Sequence, residues 1–232
     1  MEDLLSESKV KDVLYLSRFK RIIQFAPIRT GSTILWQILD YLFEDRNYTK
    51  YKWKSPNHVV KTHKLHKKYI KEGNIYLITI RNPLEAFAST IRVKFFEHPL
   101  SEIYEMVNKL LIDMYEKVYE IQNNPNVYIF RYEDFQHNYN VFLDKIEELF
   151  DIKIKENHKA EILKKFSRES NLEISRNYNN FQELDQNSLI HGNHVAEKQY
   201  SWKDIIQDED MQKDLIIKFK SIMKKFDYKI PD

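Results

Sequence analysis

Apolar positions along the chain change period several times, and each change marks an element. Arg21 to Ala26 (RIIQFA) is a short continuous apolar run suited to a buried strand, and Pro27 to Thr33 follows as a tight loop. From Ile34 to Phe43 the spacing turns helical, with Leu35, Ile38, Leu39 and Leu42 on one face. His58 to His63 reads as a second strand and Asn74 to Ile80 (NIYLITI) as a third. Pro83 then falls at a first helical turn, where its missing N–H costs nothing. Ile103, Met106, Val107, Leu110, Leu111, Met114 and Val118 keep helical spacing over a long amphipathic helix. Beyond the Asn123-Asn124-Pro125 break, Val127 to Phe130 forms a fourth strand, and Val141, Phe142, Ile146, Leu149 and Phe150 mark a packed helix. Periodicity fades from Ser170 to Tyr200, which predicts a mobile loop over 170–200, and Ile205 to Phe226 predicts a closing helix.

A strand, a glycine loop and a helix form the opening unit of a nucleotide-type α/β fold. No internal repeat and no linker rich in Pro, Gly or Ser divides the chain. The expected architecture is one α/β domain over residues 1–232: a central, mostly parallel sheet flanked by helices, with a P-loop-like opening. Residues 1–18 are expected to form an N-terminal helical arm.

Composition narrows the function. Of 232 residues, 37 are Lys or Arg and 35 are Asp or Glu, so the formal net charge is +2. Near-balance argues against a nucleic-acid partner bound through a broad basic face, so any anionic ligand must be met by a local cluster. Aromatic residues make up 14% of the chain, enough to furnish a substantial core. The chain has no cysteine, which removes disulfides, thiolate nucleophiles and Cys-ligated metals. The acidic start without an apolar core does not read as a signal peptide, and no segment approaches the roughly 20 apolar residues of a membrane helix. These features predict a cytoplasmic protein of a reducing compartment without a membrane partner.

Three segments carry candidate chemistry. Pro27-Ile28-Arg29-Thr30-Gly31-Ser32-Thr33 joins a strand to a helix. Its glycine lets backbone N–H groups approach an anion, and the helix start adds a favourable dipole. A capped helix start would show the same Ser and Thr residues. With Gly31 as its single glycine, the loop is not a Walker A loop. In Val59-Val60-Lys61-Thr62-His63-Lys64, strand alternation would turn Lys61 and His63 to one face. An imidazole there could accept a proton, and an ammonium could hold charge on a leaving group. With His66, Lys67 and Lys68 close behind, a plain basic edge reads equally well from this segment alone. In the third segment, Arg81 ends an apolar strand, at the edge where open α/β sheets bind ligands, and Ser89 lies eight residues on.

Taken together, RTGST after one strand, VKTH on a second and IRNP with Ser89 after a third resemble the PAPS-dependent sulfotransferase family (PAPS, 3′-phosphoadenosine 5′-phosphosulfate). Phe130-Arg131-Tyr132-Glu133-Asp134-Phe135 resembles the family's Y-E-D segment, and Ser201-Trp202-Lys203-Asp204 its W-K-[ND] stretch. The resemblance runs from about Ile22 to Asp204. It implies transfer of a sulfuryl group from PAPS to a hydroxyl or amine, without a metal, leaving adenosine 3′,5′-bisphosphate. Arg29, Thr30, Gly31, Ser32 and Thr33 would hold the 5′-phosphosulfate, with Arg29 where many members have lysine. His63 would be the general base, and Lys61, with Arg29, would stabilise charge on the transferring group or the departing phosphate. Arg81 and Ser89 would hold the 3′-phosphate, Tyr132 would lie near adenine, and Lys198 would reach the 3′-phosphate. The chain departs from the pattern at Ile28, which separates Pro27 from Arg29, and at Ile34, where some members have the adenine-stacking tryptophan. Trp36 stands two residues later, and His191-Gly192-Asn193-His194 and Lys198 occupy the neighbourhood of the R-K-G element.

Sulfuryl transfer should resemble phosphoryl transfer, with a loose in-line transition state that needs positioning and cations more than covalent catalysis. The modest chain length and missing anchor point to a small-molecule acceptor. Two other readings stay open at this stage. One is a non-catalytic module binding adenosine 3′,5′-bisphosphate, and the other is a P-loop kinase-like phosphotransferase.

Overall fold

The computed structural model describes residues 21–43, 59–65 and 73–231. The expected N-terminal arm, His58 and the basic run at 66–68 lie outside them. Four strands form one sheet: β1 (Arg21–Phe25), β2 (Val59–Thr62), β3 (Asn74–Ile80) and β4 (Val127–Arg131). Their order is β2-β1-β3-β4 and every pairing is parallel, with Ile22 opposite Val59 and Ile75, and Ile78 opposite Ile129. The run NIYLITI explains why β3 is central, since all seven of its residues are buried. A strand buried on both faces reads as continuous apolar sequence.

Helices cover both faces. Around the described part of the chain they are α1 (Ser32–Phe43), α2 (Pro83–Arg92), α3 (Leu100–Ile121), α4 (Tyr132–Phe135), α5 (Asn140–Phe150), α6 (Glu156–Lys165), α7 (Arg168–Arg176), α8 (Trp202–Ile205) and α9 (Glu209–Lys225). Because side chains alternate along a strand, Ile23 and Phe25 join one core while Ile22 joins the other. The first core packs Tyr76, Ile78 and Ile80 against Phe87 of α2, Val107 and Leu111 of α3, and Phe219 of α9. The second packs Ile75 and Leu77 against Leu35 and Leu39 of α1 and Phe142 and Ile146 of α5. The result is a three-layer α/β domain, as the strand and helix periods require.

Local chemistry sets the helix starts. Asn82 accepts from the Leu84 N–H and Pro83 takes the first helical position, so α2 begins where the sequence places it. Ser201 and Asp204 form a reciprocal capping box that nucleates the short α8. The 170–200 stretch needs correction: its first residues belong to α7, which runs to Arg176, and irregular backbone follows only from there. Helix α7 buries Asn171 and Ser175, and these polar positions leave no apolar stripe to read.

Candidate active site

The C-terminal ends of all four strands open on one cavity of about 1490 Å³. In the order β2-β1-β3-β4 the connections run to opposite sides of the β1–β3 pair, the crevice where α/β sheets take ligands. Arg29, Gly31, Ser32, Thr33, Lys61, His63, Arg81, Ser89, Tyr132 and Lys198 all line it. Thr30 does not. Its hydroxyl is buried, donating to the Pro27 carbonyl at 2.8 Å and meeting Thr79 Oγ1 at 3.0 Å, so Thr30 ties the loop to β3 with its side chain turned away from the cavity.

The loop after β1 is shaped by two residues in the left-handed region, Arg29 at φ 63° and Gly31 at φ 82°. Gly31 lies so close to α4 that a Cβ would sit 2.8 Å from Phe135 Cζ and 2.9 Å from Tyr132 Cδ2. Arg29 takes a conformation uncommon for a residue with a side chain, and such strain concentrates at functional sites. Its Nε donates to Ser89 Oγ at 3.1 Å and its Nη2 to the His194 carbonyl at 2.8 Å. Arg29 and Ser89, which the family pattern assigns to different parts of one ligand, are therefore directly bonded here. Helix α1 begins at Ser32, and the first N–H groups of a helix have no carbonyl one turn upstream.

Lys61 and His63 come from the end of β2, but His63 sits one residue beyond the strand, in a bend. Lys61 Nζ donates to Thr33 Oγ1 at 3.0 Å and lies 5.7 Å from the ring centroid of Trp36. Trp36 is buried in the core and does not line the cavity, whereas Ile34 does. His63 Nδ1 lies 2.9 Å from the Ala26 carbonyl. A carbonyl can only accept, so Nδ1 carries the proton and Nε2 is left with its lone pair. Burial first, then the Lys61 charge, lower His63 from 6.5 to about 4. Burial and then the Arg29 charge lower Lys61 from 10.5 to about 7. Arg29 falls to about 9 through burial and the charges of Arg92 and Arg81. The cavity therefore brings Arg29 and Lys61 together at the cost of their own ionisation.

At the other end, the Arg81 guanidinium carbon lies over the Tyr132 ring, 4.4 Å from its centroid, and Arg81 pairs with Glu85 at 3.3 Å. Glu85 also accepts from the Trp202 N–H at 3.0 Å, joining α8 to this wall. The Tyr115 hydroxyl donates to the Arg81 carbonyl. Glu133 accepts from the Asn82 N–H at 2.8 Å and from the Tyr228 hydroxyl at 3.3 Å. Lys198 is exposed, its ammonium 5.1 Å from the Tyr200 centroid.

The irregular segment closes the cavity's roof. Phe181 stacks on His191 at 4.3 Å and packs on Phe95 at 5.1 Å, and Arg29 lies 5.4 Å from the Phe181 centroid. Ser175 donates to the His191 carbonyl at 2.8 Å, and Arg168 of α7 donates to the Ala196 carbonyl. Sequence reasoning did not single out Glu85, Arg92, Arg168 or Phe181. Glu85 is four residues from Arg81, and Arg92 three from Ser89, both helical neighbour spacings that point to the shared wall.

Comparison with known proteins bears on the fold. No family model matches the chain, and no curated protein matches it by sequence. Among solved structures, mouse sulfotransferase SULT7A1 complexed with PAP matches with a TM-score of 0.64 at 15% identity, over 96% of this chain and 90% of that one. The fold is the sulfotransferase fold. Retinol dehydratase in complex with androsterone and inactive cofactor PAP matches at TM-score 0.63 and 12% identity, over 97% of this chain and 86% of that one. The complex of retinol dehydratase with retinol and PAP matches at 0.61 and 14%, over 97% and 87%. Among the described residues, no helix is long and apolar enough to cross a membrane.

Proposed function

We propose that this chain is a sulfotransferase that moves a sulfuryl group from PAPS to a hydroxyl or amine of a small-molecule acceptor. The observation that carries the reading is the convergence of Arg29, Lys61, His63, Arg81 and Ser89, from three strand ends and one helix, on a single cavity. The solved structures of like fold named above hold PAP, the adenosine 3′,5′-bisphosphate that such a donor leaves behind.

The donor would supply an already activated sulfuryl group. The residues present fit it: among the described residues no carboxylate pairs with Arg29 or Lys61, while two phosphate-type groups would bring several negative charges to them. The loop Arg29–Thr33 and the start of α1 would hold the 5′-phosphosulfate, and Arg81 and Ser89 the 3′-phosphate. The Arg81–Tyr132 stack would present one ring face to adenine. An acceptor oxygen (or nitrogen) attacks sulfur as the sulfur–oxygen bond to the bisphosphate breaks, and the acceptor proton passes to His63 Nε2. Lys61, tethered to Thr33, meets the negative charge that grows on the departing phosphate. The aromatic roof of Phe95 and Phe181 and the apolar Leu189 and Ile190 would then shield the transfer from water.

Calorimetric titration with adenosine 3′,5′-bisphosphate, 5′-AMP and ATP, all without Mg²⁺, tests the reading. Micromolar or tighter binding of the bisphosphate, about −8 kcal/mol, with clear preference over both others supports it. A preference for ATP, or no nucleotide binding, would overturn it. An acceptor screen with PAPS then separates a transferase from a pure bisphosphate binder.

A further inference from the structure

Arg92 is the last residue of α2, one helical turn beyond Ser89 and on the same face. An arginine there ordinarily serves the negative end of the helix dipole, next to the carbonyls of its own last turn. Here its Nη2 reaches across the cavity to the Asn193 carbonyl at 3.2 Å and the His194 carbonyl at 3.4 Å. The His194 carbonyl is also the acceptor for Arg29 Nη2, and Arg29 Nε is bonded to Ser89. Two guanidiniums thus share one neutral oxygen beside a hydroxyl.

That arrangement is electrostatically unfinished. Arg81 and Arg92 both disfavour the charge of Arg29, and Arg81 disfavours that of Arg92. Among the described residues the one carboxylate paired in this wall, Glu85, is engaged by Arg81, and no carboxylate pairs with Arg29 or Arg92. A single carbonyl cannot balance two half-buried guanidiniums, whereas a doubly charged phosphate with three acceptor oxygens can. Arg92 also has Arg81, Tyr132 and Tyr200 as charge neighbours, which places it on the same wall of the cavity as Arg81.

We propose that Arg92 is a direct ligand of the donor's 3′-phosphate, completing with Arg81 and Ser89 a grip that the chain's C-terminal segment supplies no arginine for. This rests on the donor assignment above. On binding, the phosphate takes over the hydrogen bonds that the 193–194 carbonyls now receive, so occupancy of the site and the position of the His191–His194 turn are linked.

Titration of adenosine 3′,5′-bisphosphate and 5′-AMP into the wild-type chain and into Arg92→Gln, Arg92→Lys and Arg81→Ala tests it. Arg92→Gln should lose about 10- to 100-fold in affinity for the bisphosphate while 5′-AMP affinity stays within about twofold, as expected for loss of a charge-assisted contact to the 3′ group alone. Arg92→Lys, which keeps the charge and loses the fork, should fall between wild type and Arg92→Gln. Retained 5′-AMP binding also reports a folded pocket. Unchanged bisphosphate affinity in Arg92→Gln, or equal losses for the two ligands in both Arg92 variants, would overturn the proposal with the donor reading intact. A wild-type chain that does not distinguish the two ligands would remove the donor reading itself, and this proposal with it.

Discussion

One hydrogen bond, from His63 Nδ1 to the Ala26 carbonyl, decides which imidazole nitrogen is free to take a proton. The same burial that hides the ring lowers it to about 4, so at neutral pH the base form is fully populated. In the role proposed for it Lys61 must be charged, yet it stands at about 7. The signs then follow. In the free enzyme, kcat/KM should hold from about pH 5 upward, without the loss near 6.5 that an ordinary histidine would cause, and decline above about 7 as Lys61 discharges. Lys61→Arg should carry the plateau into the alkaline range. His63→Ala should lower transfer by about 10²- to 10⁴-fold with bisphosphate affinity within about twofold of wild type. Turnover assays across pH on the three proteins check this, and comparable activity in His63→Ala would remove His63 from the role. Both folded values lie below the unfolded ones. His63 therefore contributes stability above about pH 6.5 that is lost as pH falls toward 4, and deprotonation of Lys61 favours the fold as pH rises from about 7 toward 10.5.

The loop between β1 and α1 is the element on which these residues depend, and Gly31 is its constraint. At φ 82° a side chain is strained, and a methyl would collide with Phe135 and Tyr132 at 2.8 to 2.9 Å. Moving α4 aside would displace Tyr132 and with it the Arg81 stack. Gly31→Ala should cost about 1 to 3 kcal/mol of stability and weaken bisphosphate binding together, read by urea unfolding and titration. A variant with wild-type values in both would show the loop to be softer than its contacts imply. This element was legible in the sequence because strand, glycine and helical period follow one another without a gap. The long helix α3 was equally plain, since its buried Ile103, Val107, Leu111, Met114 and Val118 keep one stripe. Helices α6 and α7 were not. The first buries only Lys159 and Ile162, Lys159 through its ion pair with Glu147 at 2.8 Å, and the second buries Asn171 and Ser175. Asn171 is held by Gln37 and the Phe166 carbonyl, and Ser175 by the His191 turn. Burial achieved by hydrogen bonds leaves no hydrophobic period. The site shows the same division: Arg29, Lys61, His63, Arg81 and Ser89 stood in motifs, but Thr30's inward turn and the Arg29–Ser89 bond depend on which way loop side chains face, and spacing does not encode that.

For the molecule as a whole, the cavity brings distant parts of the chain together through cations of which, among the described residues, only Arg81 is paired with a carboxylate, Glu85. Arg29, Lys61, Arg81 and Arg92 come from the β1 loop, β2, the end of β3 and the end of α2, and the carbonyls that quiet two of them belong to the 193–194 turn. An anion that satisfies all four would cross-link these parts in the folded state and find no such site in the unfolded chain. By mass action, bisphosphate at one hundred times its Kd should add about 2.7 kcal/mol of stability. For a chain of this size each kcal/mol moves Tm by about 2 to 4 °C, so the midpoint should rise by about 5 to 11 °C. The same concentration of 5′-AMP, lacking the 3′-phosphate here proposed to meet Arg81, Ser89 and Arg92, should raise it far less, and ATP should not need Mg²⁺ to show its own smaller effect. Scanning calorimetry at fixed low ionic strength reads all three. Added salt should erode the bisphosphate shift, because screening weakens each of these contacts at once. A shift that is equal for all three nucleotides would mean that the cation cluster stabilises the fold through generic anion binding, and that its geometry does not select the 3′-phosphate.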